Sequence, residues 1–306
     1  MSLFLSPAQL LVFKLSWKLF LYSFCLPTLA EIIVISAMYK AVFIDMDGTL
    51  LRKDHTVSSI TRHTIQQLIQ KDILIVPISA RPLHGMLPIT QTVFPDDNPV
   101  VSLNGGYIYQ QQAVTYQVHV TLPEAEAIHS EVKKQPVSAM YYSQMEWFAE
   151  ASTDAVKKEQ KITAVPITIQ PFIDTLTLWE QQQTGPNKIL IAGDPGVILS
   201  LEKELLANHS GELNIYKSQP RYLEVMSLQA SKSKAIQFLM AQYGLHQNEV
   251  IAIGDNYNDK GMIEFAGTGV AMGNAPDEIK AVANYVTDTN NHDGVAKALK
   301  HFFELK

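Results

Sequence analysis

Three short apolar runs, each stopping at a polar or small residue, constrain this chain more than any other feature. They are residues 40–45 (KAVFID), 73–78 (ILIVPI) and 99–103 (PVVSL). Runs of this length without polar alternation read as strands buried on both faces, as in a parallel sheet. Between the first two, Ser58 and Ser59 offer a cap for a helix whose apolar stripe includes Ile65, Leu68 and Ile69. Strand, helix and strand at this spacing predict parallel βαβ units. Ligands of open parallel sheets bind beyond the carboxyl ends of the strands. The sequence therefore directs Asp45, Ser79 and Asn104 at one crevice.

Beyond residue 110 the pattern changes. Val114, Tyr116, Val118 and Val120 alternate with polar residues, as in a strand with one wet face. A helix is expected after Pro123, two strands over 137–150, a strand at 187–192 and a helix at 196–207. The glutamine runs at 110–112 and 181–183 read as connections. The parallel pattern is expected to return with a strand at 222–226 (YLEVM) and a helix capped by Ser231. A strand at 249–254 then ends before Asp255, with alternating helices and strands to the C-terminus. The expected fold is α/β: a Rossmann-like parallel-sheet core, residues 38–110 and 220–306, with an inserted α+β cap domain, residues 111–219. Tyr141, Tyr142, Trp147 and Phe148 are expected to build the cap's core or its sheet face.

Residues 1–37 form an apolar leader outside this scheme. Residues 3–13 and 19–39 are almost wholly apolar, separated by Lys14 and Lys18. About 20 such residues span a bilayer as a helix. Three readings stand side by side: a membrane anchor with the lysines on the cytoplasmic side, a signal peptide without a clear cleavage site, or an upstream extension before Met38. The remainder reads as cytoplasmic, with membrane association expected only through residues 1–37. Apolar residues make up 47% of the chain, enough for a core and too many for disorder. With 24 basic and 30 acidic residues the net charge is −6, which argues against nucleic-acid binding through a general basic surface. The single Cys25 cannot make an internal disulfide.

Chemistry concentrates in two motifs. Asp45-Met46-Asp47-Gly48-Thr49 sets two carboxylates two residues apart, just past a buried strand. Like charges in an apolar crevice push one pKa up, and a divalent cation relieves this. Hard oxygen ligands suit Mg²⁺. A strand-end Asp is also a candidate nucleophile that forms an aspartyl-phosphate. The plain alternative is an Asp-rich turn that binds nothing. Gly254-Asp255-Asn256-Tyr257-Asn258-Asp259 again follows an apolar strand. Asp255 is placed to complete a metal site, and Asn258 with the following helix start to donate to a phosphate oxygen. Asp and Asn also favour turns and caps, so this motif alone is weaker.

Taken in order with Ser79, Asn104-Gly105-Gly106 and Ser231-Lys232, these motifs resemble the haloacid-dehalogenase-type phosphatases, in particular their Cof-type (class IIB) branch. The resemblance covers essentially all of residues 38–306. It implies Mg²⁺-dependent hydrolysis of a small phosphomonoester: a sugar phosphate, a nucleotide or a phosphorylated cofactor. Asp45 matches the family nucleophile and Asp47 the general acid/base. The resemblance further implies Mg²⁺ on the Asp45 carboxylate, the Asp47 backbone carbonyl and Asp255. Ser79, Lys232 and Asn258 would bind the phosphoryl group, with Asn104 on the substrate side and Asp259 supporting the metal site or the lysine. Two departures stand out. Ala80 follows Ser79 where the family usually has glycine, and Ser233 follows Lys232 where glycine is usual. Lys234 and Lys188 are therefore rivals of Lys232. Arg81 is expected near the crevice, on substrate or in a salt bridge. A phosphomutase or a non-catalytic phosphate-binding protein are the alternatives on the same fold; the presence of both Asp45 and Asp47 argues against the second. His55, His63, His84 and His292 show no metal-ligand spacing.

Overall fold

The computed structural model of the chain describes residues 39–163 and 165–305. In chain order the strands are β1 (Ala41–Asp45), β2 (Leu74–Ile78), β3 (Val100–Ser102), β4 (Tyr107–Gln110), β5 (Ala113–Gln117), β6 (Ser138–Ser143), β7 (Glu146–Ala149), β8 (Thr168–Ile169), β9 (Lys188–Ala192), β10 (Leu213–Gln219), β11 (Tyr222–Ser227), β12 (Val250–Gly254), β13 (Thr268–Ala271) and β14 (Tyr285–Val286). They build two sheets. The first has the order β14-β13-β12-β1-β2-β3-β4-β5. Its pairs from β14 through β3 are parallel, and β4 and β5 are added antiparallel at one edge. The second has the order β10-β11-β9-β6-β7-β8 and is antiparallel except for the β7–β8 pair. The expected α/β class and parallel core sheet are what the chain adopts.

The apolar runs work as the parallel-sheet argument requires. Every residue of β1 is buried. Val42 and Ile44 pack with Ile65 and Leu68 of the helix Ser59–Ile69. Ala41 and Phe43 pack on the other face with Ala235, Ile236 and Leu239 of the helix Lys232–Tyr243. Ser58 caps the first helix by accepting from the Thr61 N–H, and Ser231 caps the second by accepting from the Lys234 N–H. The second cap also lies at the cavity beyond the strand ends, since Ser231 and Lys232 both line it.

In the second sheet Tyr141 and Phe148 point to one face, where Phe172 and Trp179 cover them. Tyr142 and Trp147 lie on the other face, stacked at 5.3 Å with their rings 7° from parallel. All four aromatics named from the sequence are buried here, as core and sheet face.

Two strands fall in a different sheet from the one expected. Residues 113–117 pair with β4 in the first sheet, so the expected cap start at residue 111 precedes a core strand. The cause is the turn: Gln111 and Gln112 both take positive φ, 51° and 61°, which suits a two-residue hairpin. The glutamines thus close a hairpin. Residues 222–227 pair antiparallel with β10 and β9 in the second sheet, although the core was expected to resume at residue 220. An all-buried run does not reveal which sheet it joins. Residues 1–37 and the three readings of that leader lie outside the described residues. Among the described residues, no helix is long and apolar enough to cross a membrane.

Candidate active site

The carboxyl ends of β1, β2, β3 and β12 converge, and the loops after them carry the two motifs. Asp45 ends β1 and is buried. Asp255 follows β12, whose residues pair in register with β1. Among the described residues, Asp45, Asp255 and Asp259 are the three acidic or metal-ligating side chains that approach as a cluster, with one oxygen from each within 4.8 Å of the others.

Gly48 makes the approach of the two motifs possible. Its φ is +82°, and an added Cβ would collide with the Asp255 carboxylate. Thr49 Oγ1 donates to Asp255 Oδ1 at 2.8 Å. Gly105 has the same kind of role: φ is +91°, and a Cβ there would strike the Ser231 carbonyl. Hence the Asn104-Gly105-Gly106 turn packs directly on the start of the lysine-bearing helix.

Lys232 is the central cation. Its side chain is 1% exposed and contacts Asp45 Oδ1 and, at 2.5 Å, Asp259 Oδ1. Burial alone would lower its pKa, but the Asp259 and Asp45 carboxylates outweigh this and hold it raised. Lys234 bonds Leu228 O and Gln229 Oε1 outside the site. Of these two lysines, Lys232 lies among the carboxylates and lines the cavity, and Lys234 does not. Lys188 lies on β9, reaches Ala80 O at 3.3 Å and stands 3.7 Å from Glu224 Oε2.

Asp259 is fully buried. Besides Lys232, it accepts from the N–H groups of Asp255 and Asn256 at 2.9 and 3.0 Å. It ties the turn to the lysine. The N–H groups of Asp255, Asn256 and Tyr257, which precede the helix after this motif, are taken by side chains.

Electrostatics favour a bound cation. Burial, then Asp259, push the Asp45 carboxyl well above its ordinary value, against the pull of Lys232. Burial likewise raises Asp255 to about 6. Three buried or half-buried carboxylates share one lysine, a charge set that hard oxygen-seeking cations balance. The residues present therefore fit a divalent metal.

Asp47 differs from Asp45. Its side chain is 48% exposed, and Arg81 binds both of its oxygens at 2.6 Å. Arg81 thus makes the salt bridge anticipated as one of its two roles. His55 Nδ1 lies 3.5 Å from Arg81 Nη2.

A cavity of about 700 Å³ opens above this floor, between the two sheets. Asp45, Asp47, Ser79, Asn104, Lys232 and Asn258 all line it. Ser79 Oγ accepts the Arg81 N–H at 3.1 Å, which leaves its own proton to donate. Asn104 joins three elements: its N–H donates to Ser79 O, its Oδ1 accepts from Asn258 Nδ2 at 3.1 Å, and its Nδ2 donates to Tyr216 OH at 2.5 Å. Tyr216 in turn donates to Glu224 Oε2 at 3.0 Å. Burial and that carboxylate keep the phenol protonated by raising its pKa. Sequence reasoning missed Tyr216 and Glu224, which sit inside strands of the second sheet. It also missed Asn274, which lies in the loop three residues past β13.

A family model described as haloacid dehalogenase-like hydrolase matches residues 42–299. A Haemophilus influenzae protein is 39% identical over 269 residues, covering 87% of this chain and 99% of the relative. The Bacillus subtilis 5-amino-6-(5-phospho-D-ribitylamino)uracil phosphatase YitU is 30% identical over 271 residues, covering 86% of this chain and 97% of that one. Among solved structures, a haloacid dehalogenase-like hydrolase from Bacteroides thetaiotaomicron superposes with a TM-score of 0.79 at 33% identity, over 87% of this chain and 100% of its own. The chain belongs to the haloacid dehalogenase-like hydrolase family, as a phosphatase of the Cof type.

Proposed function

We propose that this enzyme hydrolyses a small phosphomonoester with Mg²⁺, through a phosphoryl group carried on Asp45. The observation that carries the reading is the cavity floor: Asp45 faces the cavity beside Lys232, with Ser79 and Asn258 around it and Asp47 at its edge. In this reading an Asp45 oxygen attacks phosphorus and the bond to the leaving oxygen breaks. Asp47, once it has left Arg81 and carries a proton, gives that proton to the leaving oxygen, so the alcohol departs neutral. Asp47 then takes a proton from water, the water oxygen attacks phosphorus, and the Asp45–phosphorus bond breaks to release phosphate. Lys232, Ser79 and Asn258 orient the phosphoryl oxygens and offset their charge. Mg²⁺, held by the Asp45 carboxylate, the Asp47 carbonyl and Asp255, would neutralise charge between two anions that must meet.

The substrate class follows the same reasoning. Roof residues Asn214, Tyr216, Lys217, Ser218, Gln219 and Glu224 are all polar or charged. They suit a small, polar phosphorylated metabolite. YitU is named for such a substrate, a phosphoribityl compound. Cytoplasmic location belongs to this proposal: the enzyme should leave a membrane pellet on breakage and salt washing. Retention after the wash would contradict it.

The direct test is phosphate release from a panel of sugar phosphates, nucleotides and phosphorylated cofactors, with Mg²⁺ and with EDTA. Release should require Mg²⁺ and fall at least about 10³-fold in Asp45→Asn. Isomerised substrate without net release would indicate a mutase, and release that survives in Asp45→Asn would refute the nucleophile assignment.

A further inference from the structure

Asn274 lies in the loop between β13 and the helix Asp277–Lys280. Its Nδ2 donates to Gly48 O at 2.9 Å and to Asp255 Oδ2 at 3.2 Å. Its Oδ1 accepts the Asn290 N–H at 3.0 Å. The partners fix the amide's orientation, because a backbone N–H only donates while a carbonyl and a carboxylate only accept. Asn290 Nδ2 also donates to Leu51 O at 2.7 Å. Two asparagines thus strap the loop at residue 290 to both ends of the 48–51 turn. With Thr49 on Asp255 Oδ1, each oxygen of that carboxylate has a protein donor. Asn274 itself does not line the cavity above Asp45.

Resting on the reading of this cluster as a Mg²⁺ site, we propose that Asn274 is a positioning residue for the metal. It aims the Asp255 carboxylate and at the same time anchors the glycine that follows Asp47, so ligand sources on two different strand ends are locked to each other. Residues that orient metal ligands commonly change metal affinity about 10–100-fold when removed. Because Asn274 stands outside the cavity, its loss should act on the metal and spare the substrate.

The test is calorimetric titration of Mg²⁺ into the metal-free full-length protein, for wild type, Asn274→Ala and Asn291→Ala. Asn291 Oδ1 accepts the Lys53 N–H at 3.1 Å, so its variant loosens the same loop without touching the site. The Mg²⁺ Kd should rise about 10–100-fold in Asn274→Ala and stay within about twofold in Asn291→Ala. The KM for a phosphomonoester at saturating Mg²⁺ should not move in either. If Asn274→Ala does not fold, Asn274→Ser carries the same expectation, since its hydroxyl is too short to bridge both acceptors. A folded Asn274 variant with the wild-type Kd, or an equal loss in Asn291→Ala, overturns the proposal. Wild-type protein that binds no Mg²⁺ overturns instead the metal reading on which it rests.

Discussion

The floor and the roof of the cavity are built by different rules. The floor takes its residues from strand ends of the first sheet: Asp45 at the end of β1, Ser79 after β2, Asn104 after β3 and Asp255 after β12. The roof takes them from strand interiors of the second sheet: Tyr216 within β10 and Glu224 within β11. On the floor, each buried charge has a charged partner, and together they leave an excess of carboxylate. On the roof, the buried Glu224 meets Lys188 and a neutral phenol. The floor is thus a place for a cation and an anion in transit, and the roof is a surface for hydrogen bonding. Chemistry should depend steeply on floor residues, and selectivity mildly on roof residues.

The largest remaining effect should come from Asp47, an exposed residue of the floor. Asp47→Asn is expected to slow hydrolysis of an alkyl phosphate about 10²–10⁴-fold. An aryl phosphate with a good leaving group should lose much less in its first step, because it needs no proton. Steady-state and single-turnover rates on the two esters check this. Equal losses in phosphoryl transfer from both would break the assignment of Asp47 as the acid.

Lys232→Met tests the floor's charge balance. It strips the one lysine from Asp45 and Asp259, both buried. Removing one partner of a buried ionic cluster costs about 3–5 kcal/mol. Denaturant unfolding in EDTA should show that loss. Added Mg²⁺ should recover part of it, because both cations answer the Asp45 carboxylate.

The pH dependence sharpens the point. Asp255 titrates at about 6 in the folded protein against an ordinary 3.8. Between these values the native state holds more protons than the unfolded state, so this group's contribution falls as pH rises from about 4 to 6. The full difference is about 3 kcal/mol. Mg²⁺ needs the ionised carboxylate, so the sign of the effect of metal is opposite. The Tm gain on adding Mg²⁺ should therefore grow from pH 5 to pH 7. In Asp255→Asn it should be small at every pH.

How far these regions could be foreseen divides along the same line. Asp45, Ser79, Asn104 and Asp255 were legible because one rule, ligands at the carboxyl ends of parallel strands, names residues adjacent to apolar runs. Lys232 was legible only through the family resemblance carried by Ser231-Lys232, and the geometry alone places it, not Lys234, among the carboxylates. Asn274 lies three residues past β13, beyond the position that rule names. Tyr216 and Glu224 were not legible, since YLEVM reads the same in either sheet and its pairing with β10 is settled by a hairpin far from either motif. The Gln111-Gln112 turn hid the edge strand β5 for a related reason: neither residue is a usual choice for positive φ.

The roof supplies the smallest effects. Tyr216→Phe removes the bridge between Asn104 and Glu224, worth about 0.5–1.5 kcal/mol. It should raise KM a few-fold with little change in kcat. A large kcat loss would place Tyr216 in the chemistry and blur the division between floor and roof.

The central claim is that the phosphoryl group rests on Asp45. Rapid quenching of a single turnover with Mg²⁺, followed by peptide mass analysis, tests it most directly. The account predicts a phosphoryl group on the peptide carrying Asp45, appearing before free phosphate and absent in Asp45→Asn. Phosphate release without a phosphorylated peptide under conditions that stabilise acyl phosphates, or with the group on another residue, would contradict it.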